Sequence, residues 1–202
     1  MFYGMSNELQ NDREGRTVIV RFTRPEIRNP LSITVLEELH QIVDGCNDAS
    51  SIERLIFTGT DDVFASGADL REIALVTVES AREFAVRGQT LMTKIESLPQ
   101  TTIAAINGFC LGGALDLALA CDRRIASPNA TFAHPGVGLG IITGWGGTQR
   151  LPRLIGEAMA LEMFLTAKRT DADEASRIGL IDKISVNPLA ESLANDFMDT
   201  SS

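Results

Sequence analysis

The segment that most constrains the fold is 103–121, which reads IAAINGFCLGGALDLALAC. It begins as the end of an apolar run with high β-propensity, residues 102–106, which an Asn-Gly pair interrupts. A second glycine pair, Gly112 and Gly113, precedes a strongly helix-forming stretch, residues 114–120. This order of apolar strand, glycine break and helix formers predicts a buried strand that turns sharply into a buried helix.

The start of this predicted helix is suited to bind an anionic oxygen. The first backbone N–H groups of a helix have no acceptor within the helix and carry the positive end of its dipole. Gly112 and Gly113 place no side chain over these donors, so the oxyanion of a reacting carbonyl can approach them closely. Asp116 follows about one turn later and is predicted to face the same space. A structural interpretation is equally open, in which the glycines allow tight packing and Asp116 complements the dipole.

The composition limits the classes of protein to which the chain can belong. Its 202 residues are enough for one domain with its own core, and 44% of them are hydrophobic. A net charge of −9 argues against nucleic acid as a partner. The sequence contains no apolar run of membrane-spanning length, and its first ten residues do not have the pattern of a secretory signal. We therefore expect a cytoplasmic protein with no nucleic-acid or membrane partner.

Cysteine and histidine usage argues against a metal centre. The three cysteines, Cys46, Cys110 and Cys121, are odd in number and lack paired metal-ligand spacing. We interpret them as reduced residues that pack as small hydrophobes. The chain has only two histidines, His40 and His134, so a multi-histidine metal site is not expected.

Predicted strands and helices alternate along the chain, which indicates an α/β fold with parallel strand pairing. Residues 1–15 are polar and are predicted to be a loose lead-in. We expect one domain over 1–186 and a short C-terminal tail over 187–202. The predicted strands are 17–22, 52–58, 102–106, 123–126, 131–133 and 181–185, and the predicted helices are 35–46 after a Ser32 cap, 84–98, 112–120, 150–164 with Pro152 in its first turn, and 171–178.

Two further stretches have the composition of a site. Residues 64–70, FASGADL, place a glycine and small residues just before a helical pattern, as the central segment does. His134 opens a His-Pro-Gly turn, and five glycines follow within residues 138–147. That glycine-rich stretch is predicted to be irregular backbone that other groups approach closely.

Together these motifs resemble the crotonase superfamily, the enoyl-CoA hydratase/isomerase group. The resemblance covers roughly residues 17–186, and its four blocks in the family's order are highly specific as a set. The implied fold is α/β, a crotonase-like spiral of ββα units with a parallel-sheet core and a C-terminal helical region that is short or missing. The four blocks are RPEIRNPLS (24–32), FASGADLREI (64–73), INGFCLGGALDLALACD (106–122) and FAHPGVGLGIITGWGGTQRLPRLIG (132–156).

The resemblance also implies a chemistry. Members of this family bind an acyl-CoA thioester and polarise its carbonyl with two backbone N–H groups, and the matching positions here are Ala68 and Gly113. Coenzyme A then enters as part of the substrate, no tightly bound cofactor or metal is implied, and a homotrimer or hexamer is expected. The positions that match the coenzyme A path are Ile27, Arg28, Ser66, Asp69, Leu70 and Leu111.

The sequence departs from the family at the two catalytic carboxylates. Family hydratases use one glutamate in the central helix and another in the later turn to activate water. Here these positions are Asp116, which is one methylene shorter, and Gly136, which has no side chain. We predict Asp116 to be the main acid/base, with His134 as a substitute base. Alternatively, His134 is a turn residue held by a structural hydrogen bond.

Other functions remain open beside a hydratase or isomerase. The lost second carboxylate favours a catalytically weak CoA-ester binder or scaffold. A malonyl-type acyl-CoA decarboxylase is a third possibility, because that reaction needs stabilisation of an enolate but less general-acid catalysis. Residues 108–112 also match the Gly-x-Cys-x-Gly outline of a nucleophile elbow at Cys110. That interpretation is disfavoured, because the only later histidine is His134 and the acid nearest to it in sequence, Asp122, lies too close before it.

Overall fold

The computed structural model of the chain describes residues 7–194. The strands are β1 (Leu9–Glu14), β2 (Thr17–Phe22), β3 (Pro30–Leu31), β4 (Arg54–Thr58), β5 (Val63–Ala65), β6 (Gly67–Ala68), β7 (Thr101–Ile106), β8 (Phe109–Leu111), β9 (Arg123–Ala126), β10 (Thr131–Ala133), β11 (Thr170–Asp171) and β12 (Lys183–Ile184). The helices are α1 (Ile33–Asn47), α2 (Leu70–Ile73), α3 (Ala81–Glu96), α4 (Gly113–Ala120), α5 (Gly147–Ile155), α6 (Glu157–Thr166), α7 (Ala172–Arg177) and α8 (Pro188–Leu193).

The strands form a six-stranded, a four-stranded and a two-stranded sheet. The largest has the order β1-β2-β4-β7-β9-β12 and is parallel except for the β1–β2 pair. The second has the order β11-β10-β8-β5, and β3 pairs with β6 in the third. From β6 to β10 each strand lies in a different sheet from the one before it, and the pairing within the large sheet is mostly parallel, which confirms the predicted α/β fold with a parallel-sheet core.

The central strand β7 is buried on both faces, as its apolar sequence predicts. Ala104 and Ile106 face the main core, which α1, α3 and α4 also enter. Ile103 and Ala105 face the opposite side, where Leu189 of α8 packs against them. After β7 the chain passes through β8 and into α4, of which seven of eight residues are buried. The predicted turn from a buried strand into a buried helix is thus confirmed, with β8 inserted between them.

The lead-in predicted for residues 1–15 is wrong where the structure describes it. Residues Leu9–Glu14 form β1, which runs antiparallel to β2 along its whole length. Of these six residues only Leu9 is buried. An edge strand with one apolar residue shows no alternation, so the hydrophobic pattern could not identify it. Residues 1–6 lie outside the described part.

The helix predicted for 150–164 is two helices. α5 begins three residues earlier, at Gly147, and Gly156 separates it from α6 with φ of 84°. Glycine adopts this left-handed backbone without a Cβ clash, which ends the first helix sharply. Pro152 consequently lies inside α5 instead of in the first turn.

The predicted tail is described only to residue 194. Its α8 is capped by the Asn187 side chain, which accepts a hydrogen bond from Ala190 N–H. Arg54 of β4 donates hydrogen bonds to the carbonyls of Ser192 and Leu193, so α8 is fixed on the large sheet. Residues 195–202 lie outside the described part. Over residues 7–194, every helix is too short or too polar to cross a membrane.

Candidate active site

The site is built where the turns before α2 and α4 meet. Gly67 has φ of 89°, and a Cβ added to it would lie 2.7 Å from both Gly113 N and the Leu111 carbonyl oxygen. A Cβ on Gly113 would in turn lie 3.4 Å from Ala68 N. At these distances the two backbone turns are in direct contact. Only glycine, which has no Cβ, allows that approach at both positions. The structure therefore brings Ala68 and Gly113, predicted from separate motifs, side by side.

Gly113 is the first residue of α4, so no intrahelical carbonyl accepts a hydrogen bond from its N–H. Gly112 precedes it with φ of 54° and ψ of −122°, a conformation that turns the chain from β8 into the helix. Ala68 ends β6, and Asp69 then caps α2. Each of the two residues thus stands at the entrance of a helix, where the local field favours negative charge.

Both turns face one cavity of about 100 Å³. A cavity of about 150 Å³ holds a benzene-sized molecule, so this space suits a short acyl group. Most of its wall is apolar, as expected for a pocket that takes a thioester chain. The residues of the wall that matter below are Ser66, Ala68, Leu70, Phe84, Gly113, His134, Gly136, Thr143 and Trp145.

Asp116 lies behind the cavity wall. Its side chain is fully buried, and its Oδ2 accepts hydrogen bonds from the Thr143 hydroxyl and from Trp145 N–H, the latter at 3.2 Å. A Cβ on Gly147, the first residue of α5, would strike its Oδ1. Burial raises the pKa of Asp116 from 3.8 to about 6, although the hydrogen bonds from Thr143 and Trp145 oppose that rise.

His134 is a buried titratable neighbour of this carboxylate. Its Nε2 lies 3.7 Å from Asp116 Oδ1, too far for a hydrogen bond, and its ring centroid lies 5.0 Å from that of Phe164. Burial lowers the pKa of His134 to about 4, so the ring is neutral near pH 7. Within residues 7–194 neither ring nitrogen nor Asp116 Oδ1 has a hydrogen-bond partner. His134 does precede the 3₁₀ turn Pro135–Leu139, as the structural alternative expects, but its ring makes no hydrogen bond to another described residue.

Gly136 has no space for the second carboxylate of the family pattern. A Cβ added there would lie 2.7 Å from the carbonyl oxygen of Ile141, which is backbone and cannot rotate away. The Ile141 N–H also donates a hydrogen bond to the Gly136 carbonyl at 3.0 Å, which fixes the two segments together. A larger residue at 136 would require the loop to move.

The predicted coenzyme A positions divide into two groups. Ser66 and Leu70 line the cavity, and Leu70 is 57% exposed. Asp69 instead caps α2 by accepting from Arg71 N–H at 2.8 Å, and it forms an ion pair with the Arg71 side chain. The side chain of Leu111 is half-buried in β8 and is not part of the cavity wall.

The remaining two coenzyme A positions lie in the loop before β3. Ile27 ends a 3₁₀ turn, and Arg28 follows it with a left-handed φ of 66°. The Arg28 guanidinium lies over the Phe109 ring, 5.8 Å from its centroid, a cation–π contact. Neither Ile27 nor Arg28 lines the cavity.

The structure adds residues that sequence reasoning missed. Thr143 and Trp145 hold Asp116, and the Trp145 and Phe84 rings lie 5.7 Å apart in the cavity wall. The sequence feature that could have identified Trp145 as a site residue is that it is the chain's single tryptophan and lies between Gly144 and Gly146. No local pattern connects Thr143 to a carboxylate 27 residues earlier.

The nucleophile elbow considered at Cys110 is not formed in the structure. Cys110 is fully buried in β8, and burial raises its thiol pKa well above the ordinary value, which is opposite to what a nucleophile needs. All three cysteines are free and buried. In the described chain, no three His, Cys, Asp or Glu side chains cluster closely enough to hold a metal ion.

Comparison with known proteins identifies the family to which the chain belongs. Residues 12–197 match the family described as Enoyl-CoA hydratase/isomerase, and the chain belongs to that family within the crotonase superfamily. Among solved structures, Pseudomonas aeruginosa DspI superposes with a TM-score of 0.90 at 34% identity, over 95% of this chain and 74% of that one. An enoyl-CoA hydratase from Bacillus anthracis gives a TM-score of 0.87 at 39% identity, over 94% and 74%.

Curated relatives are similar along most of the chain. A crotonyl-CoA hydratase of Syntrophomonas wolfei is 44% identical over 174 residues, which cover 86% of this chain and 67% of the relative. A short-chain-enoyl-CoA hydratase of Clostridium acetobutylicum is 41% identical over 181 residues, which cover 88% of this chain and 69% of the relative.

Proposed function

We propose that this protein is an acyl-CoA thioester enzyme of the enoyl-CoA hydratase/isomerase type, with the thioester carbonyl held between the N–H groups of Ala68 and Gly113. The observation that carries the proposal is the close approach of the two helix-entering turns at Gly67 and Gly113 on one apolar cavity. The names of the relatives, a crotonyl-CoA hydratase and a short-chain-enoyl-CoA hydratase, support the same class of substrate.

The two N–H groups would act on charge that develops during the reaction. Attack at the β-carbon of an enoyl thioester, or removal of a proton from its α-carbon, places negative charge on the thioester oxygen. Fixed backbone donors in a site shielded from water stabilise that charge, and one such donor typically contributes about 3–4 kcal/mol. Because the enolate forms in hydration, isomerisation and decarboxylation alike, this part of the site fits each of them.

Proton transfer is assigned to Asp116 together with His134. Hydration forms a bond between the water oxygen and Cβ, transfers a water proton to a base, and returns a proton to Cα. With a pKa of about 6, Asp116 is ionised but still basic near neutral pH, which suits a general base. His134 lines the cavity whereas Asp116 does not, so we propose that Asp116 acts on the substrate through His134, with the 3.7 Å separation between His134 Nε2 and Asp116 Oδ1 closing to a hydrogen bond when substrate binds.

The coenzyme A and the assembly of the enzyme complete the proposal. Coenzyme A is part of the substrate, its pantetheine passing Ser66 and Leu70 and its nucleotide end lying near Arg28.

A homotrimer or hexamer remains our prediction. Its support is the apolar surface of the loop after Gly136 and of α6, where Ile142, Leu161 and Leu165 are each more than half exposed. A cytoplasmic location also remains a prediction.

A matched pair of variants tests the carbonyl site. Gly113→Ala and Gly113→Pro both press a Cβ against the Trp145 ring, but only proline removes the N–H. The first helical position tolerates proline, so the helix should persist. With crotonyl-CoA, the proline variant should lose about a hundredfold or more in kcat beyond the loss in the alanine variant. Equal losses in the two variants would remove Gly113 N–H from the mechanism.

The acid/base assignment is tested by Asp116→Asn and His134→Gln. Each should lower turnover of crotonyl-CoA about a hundred- to ten-thousandfold while acyl-CoA still binds. Full turnover in Asp116→Asn alone would assign the proton transfer to His134.

Tight binding without turnover in the unmodified protein would favour a CoA-ester-binding or scaffold role, for which the missing side chain at Gly136 is the supporting observation. Release of CO₂ from malonyl-CoA would favour the decarboxylase.

A further inference from the structure

Trp145 is in an unusual position for the single tryptophan of the chain. It is 2% exposed, its backbone N–H holds Asp116, and its ring contacts that of Phe84 at an angle of 40°. The residue thus joins the carboxylate to the cavity wall. A large rigid side chain at this point determines the shape of the space that remains.

Two glycines on different helices make room for the indole. A Cβ on Gly88 of α3 would overlap Cδ1 of Trp145, and a Cβ on Gly113 of α4 would overlap its Cζ3. The five-membered ring therefore rests on α3, and the six-membered ring rests on α4. Because Gly113 is also the proposed carbonyl donor, the indole edge stands next to the first carbons of any acyl chain held there.

Trp145 also separates two cavities. On one side is the apolar cavity of about 100 Å³ that contains Gly113 and His134. On the other side is a polar cavity of about 460 Å³ with Thr93 and Arg150 in its wall. The two share a wall made of residues 143–145. Trp145 thus belongs to the wall that the two cavities share.

We infer that Trp145 is a specificity-determining residue, which closes the acyl cavity a few carbons beyond the thioester carbonyl and restricts the enzyme to short acyl chains of about four carbons. The inference rests on the proposed function and names its substrate class. A chain with four more methylenes would have to displace the indole from both glycines. One methylene that a site cannot accommodate typically changes the rate about 10–200-fold, so the discrimination should be large.

Kinetics on two chain lengths test the inference. The unmodified enzyme should have a kcat/KM for crotonyl-CoA at least about tenfold above that for trans-2-octenoyl-CoA. Trp145→Ala should shift this ratio at least about tenfold toward octenoyl-CoA, and Trp145→Leu should shift it in the same direction while filling more of the core. Thr93→Ala, which changes only the polar cavity, should leave the ratio unchanged. An unchanged ratio in both Trp145 variants would overturn the inference.

Fluorescence supplies a readout that needs neither turnover nor a variant. All tryptophan emission comes from Trp145, so crotonyl-CoA should quench or shift it, whereas coenzyme A without an acyl group should have at most a small effect. Saturable binding of crotonyl-CoA without a change in emission would place the acyl group elsewhere and refute the inference. If the protein neither binds nor converts any acyl-CoA, the proposed function itself fails, which is a different result.

Discussion

Replacing Asp116 with asparagine should stabilise the protein at neutral pH while lowering its activity. Asp116 is fully buried, and burial raises its pKa from 3.8 to about 6. One pKa unit corresponds to about 1.4 kcal/mol, so the ionised carboxylate costs the folded state about 3 kcal/mol. The neutral amide of the Asp116→Asn variant would remove this cost and could still accept the hydrogen bond from Trp145 N–H. Because the pairing with Thr143 is altered in the variant, the expected net gain is about 1–3 kcal/mol at pH 8.

The sign of the pH dependence follows from the direction of the shift. A folded-state pKa above the unfolded value means that the folded protein binds the proton more tightly, so this group favours folding most below pH 3.8. That advantage is lost as the pH rises through about 6. The gain in Asp116→Asn should therefore be greatest above pH 7, fall to about half by pH 5, and nearly vanish below about pH 4.

Urea titrations followed by circular dichroism, from pH 5 to pH 8, measure this gain directly. Asp173→Asn is the matched control, because it makes the same substitution at an exposed carboxylate, in the first turn of α7. A stability difference between Asp116→Asn and the unmodified protein that is constant across this range would show that desolvation does not govern Asp116. A loss of stability at every pH that is smaller at pH 8 than at pH 5 would show that the lost Thr143 and Trp145 contacts outweigh the relief of desolvation.

Three further substitutions test the packing around the site by urea unfolding. Gly136→Ala should lose about 1–3 kcal/mol, because its Cβ meets the Ile141 carbonyl, and a neutral result would mean that the loop shifts freely. Gly88→Ala should lose a similar amount and change tryptophan emission, because its Cβ meets the Trp145 ring; unchanged emission would contradict that contact. Asn29→Ala should lose about 2–4 kcal/mol, because the buried amide donates to two backbone carbonyls of β5, and a loss under about 1 kcal/mol would mean that water replaces it.

The sequence predicted best the parts of the fold that a local pattern determines. β2, β9 and β10 have the predicted bounds, and α1 begins after its Ser32 cap, because apolar spacing and capping chemistry act within a few residues. β1 was missed because a polar edge strand is specified by its partner. The break at Gly156 was missed because a glycine in a helical pattern does not reveal its own φ.

The sequence predicted the two backbone turns of the candidate site, although not their role. Ala68 and Gly113 were predicted from the resemblance to the crotonase superfamily, the small residues before a helix pointed independently to Gly113, and the structure brings the two residues together. Contacts of Asp116 were not predictable, because Thr143 and Trp145 reach it from a loop whose path depends on the whole fold. For the same reason, the distance between Asp116 and His134 could only come from coordinates.

The two edges of the six-stranded sheet also affect how copies of this protein can meet. At one edge β1 presents Asp12, Arg13 and Glu14 to solvent, and at the other β12 is only two residues long. Charged or very short edge strands are poor templates for an added strand from another chain. Over the described residues, the sheet is therefore protected against edge-to-edge aggregation, and copies that associate would do so through helices and loops.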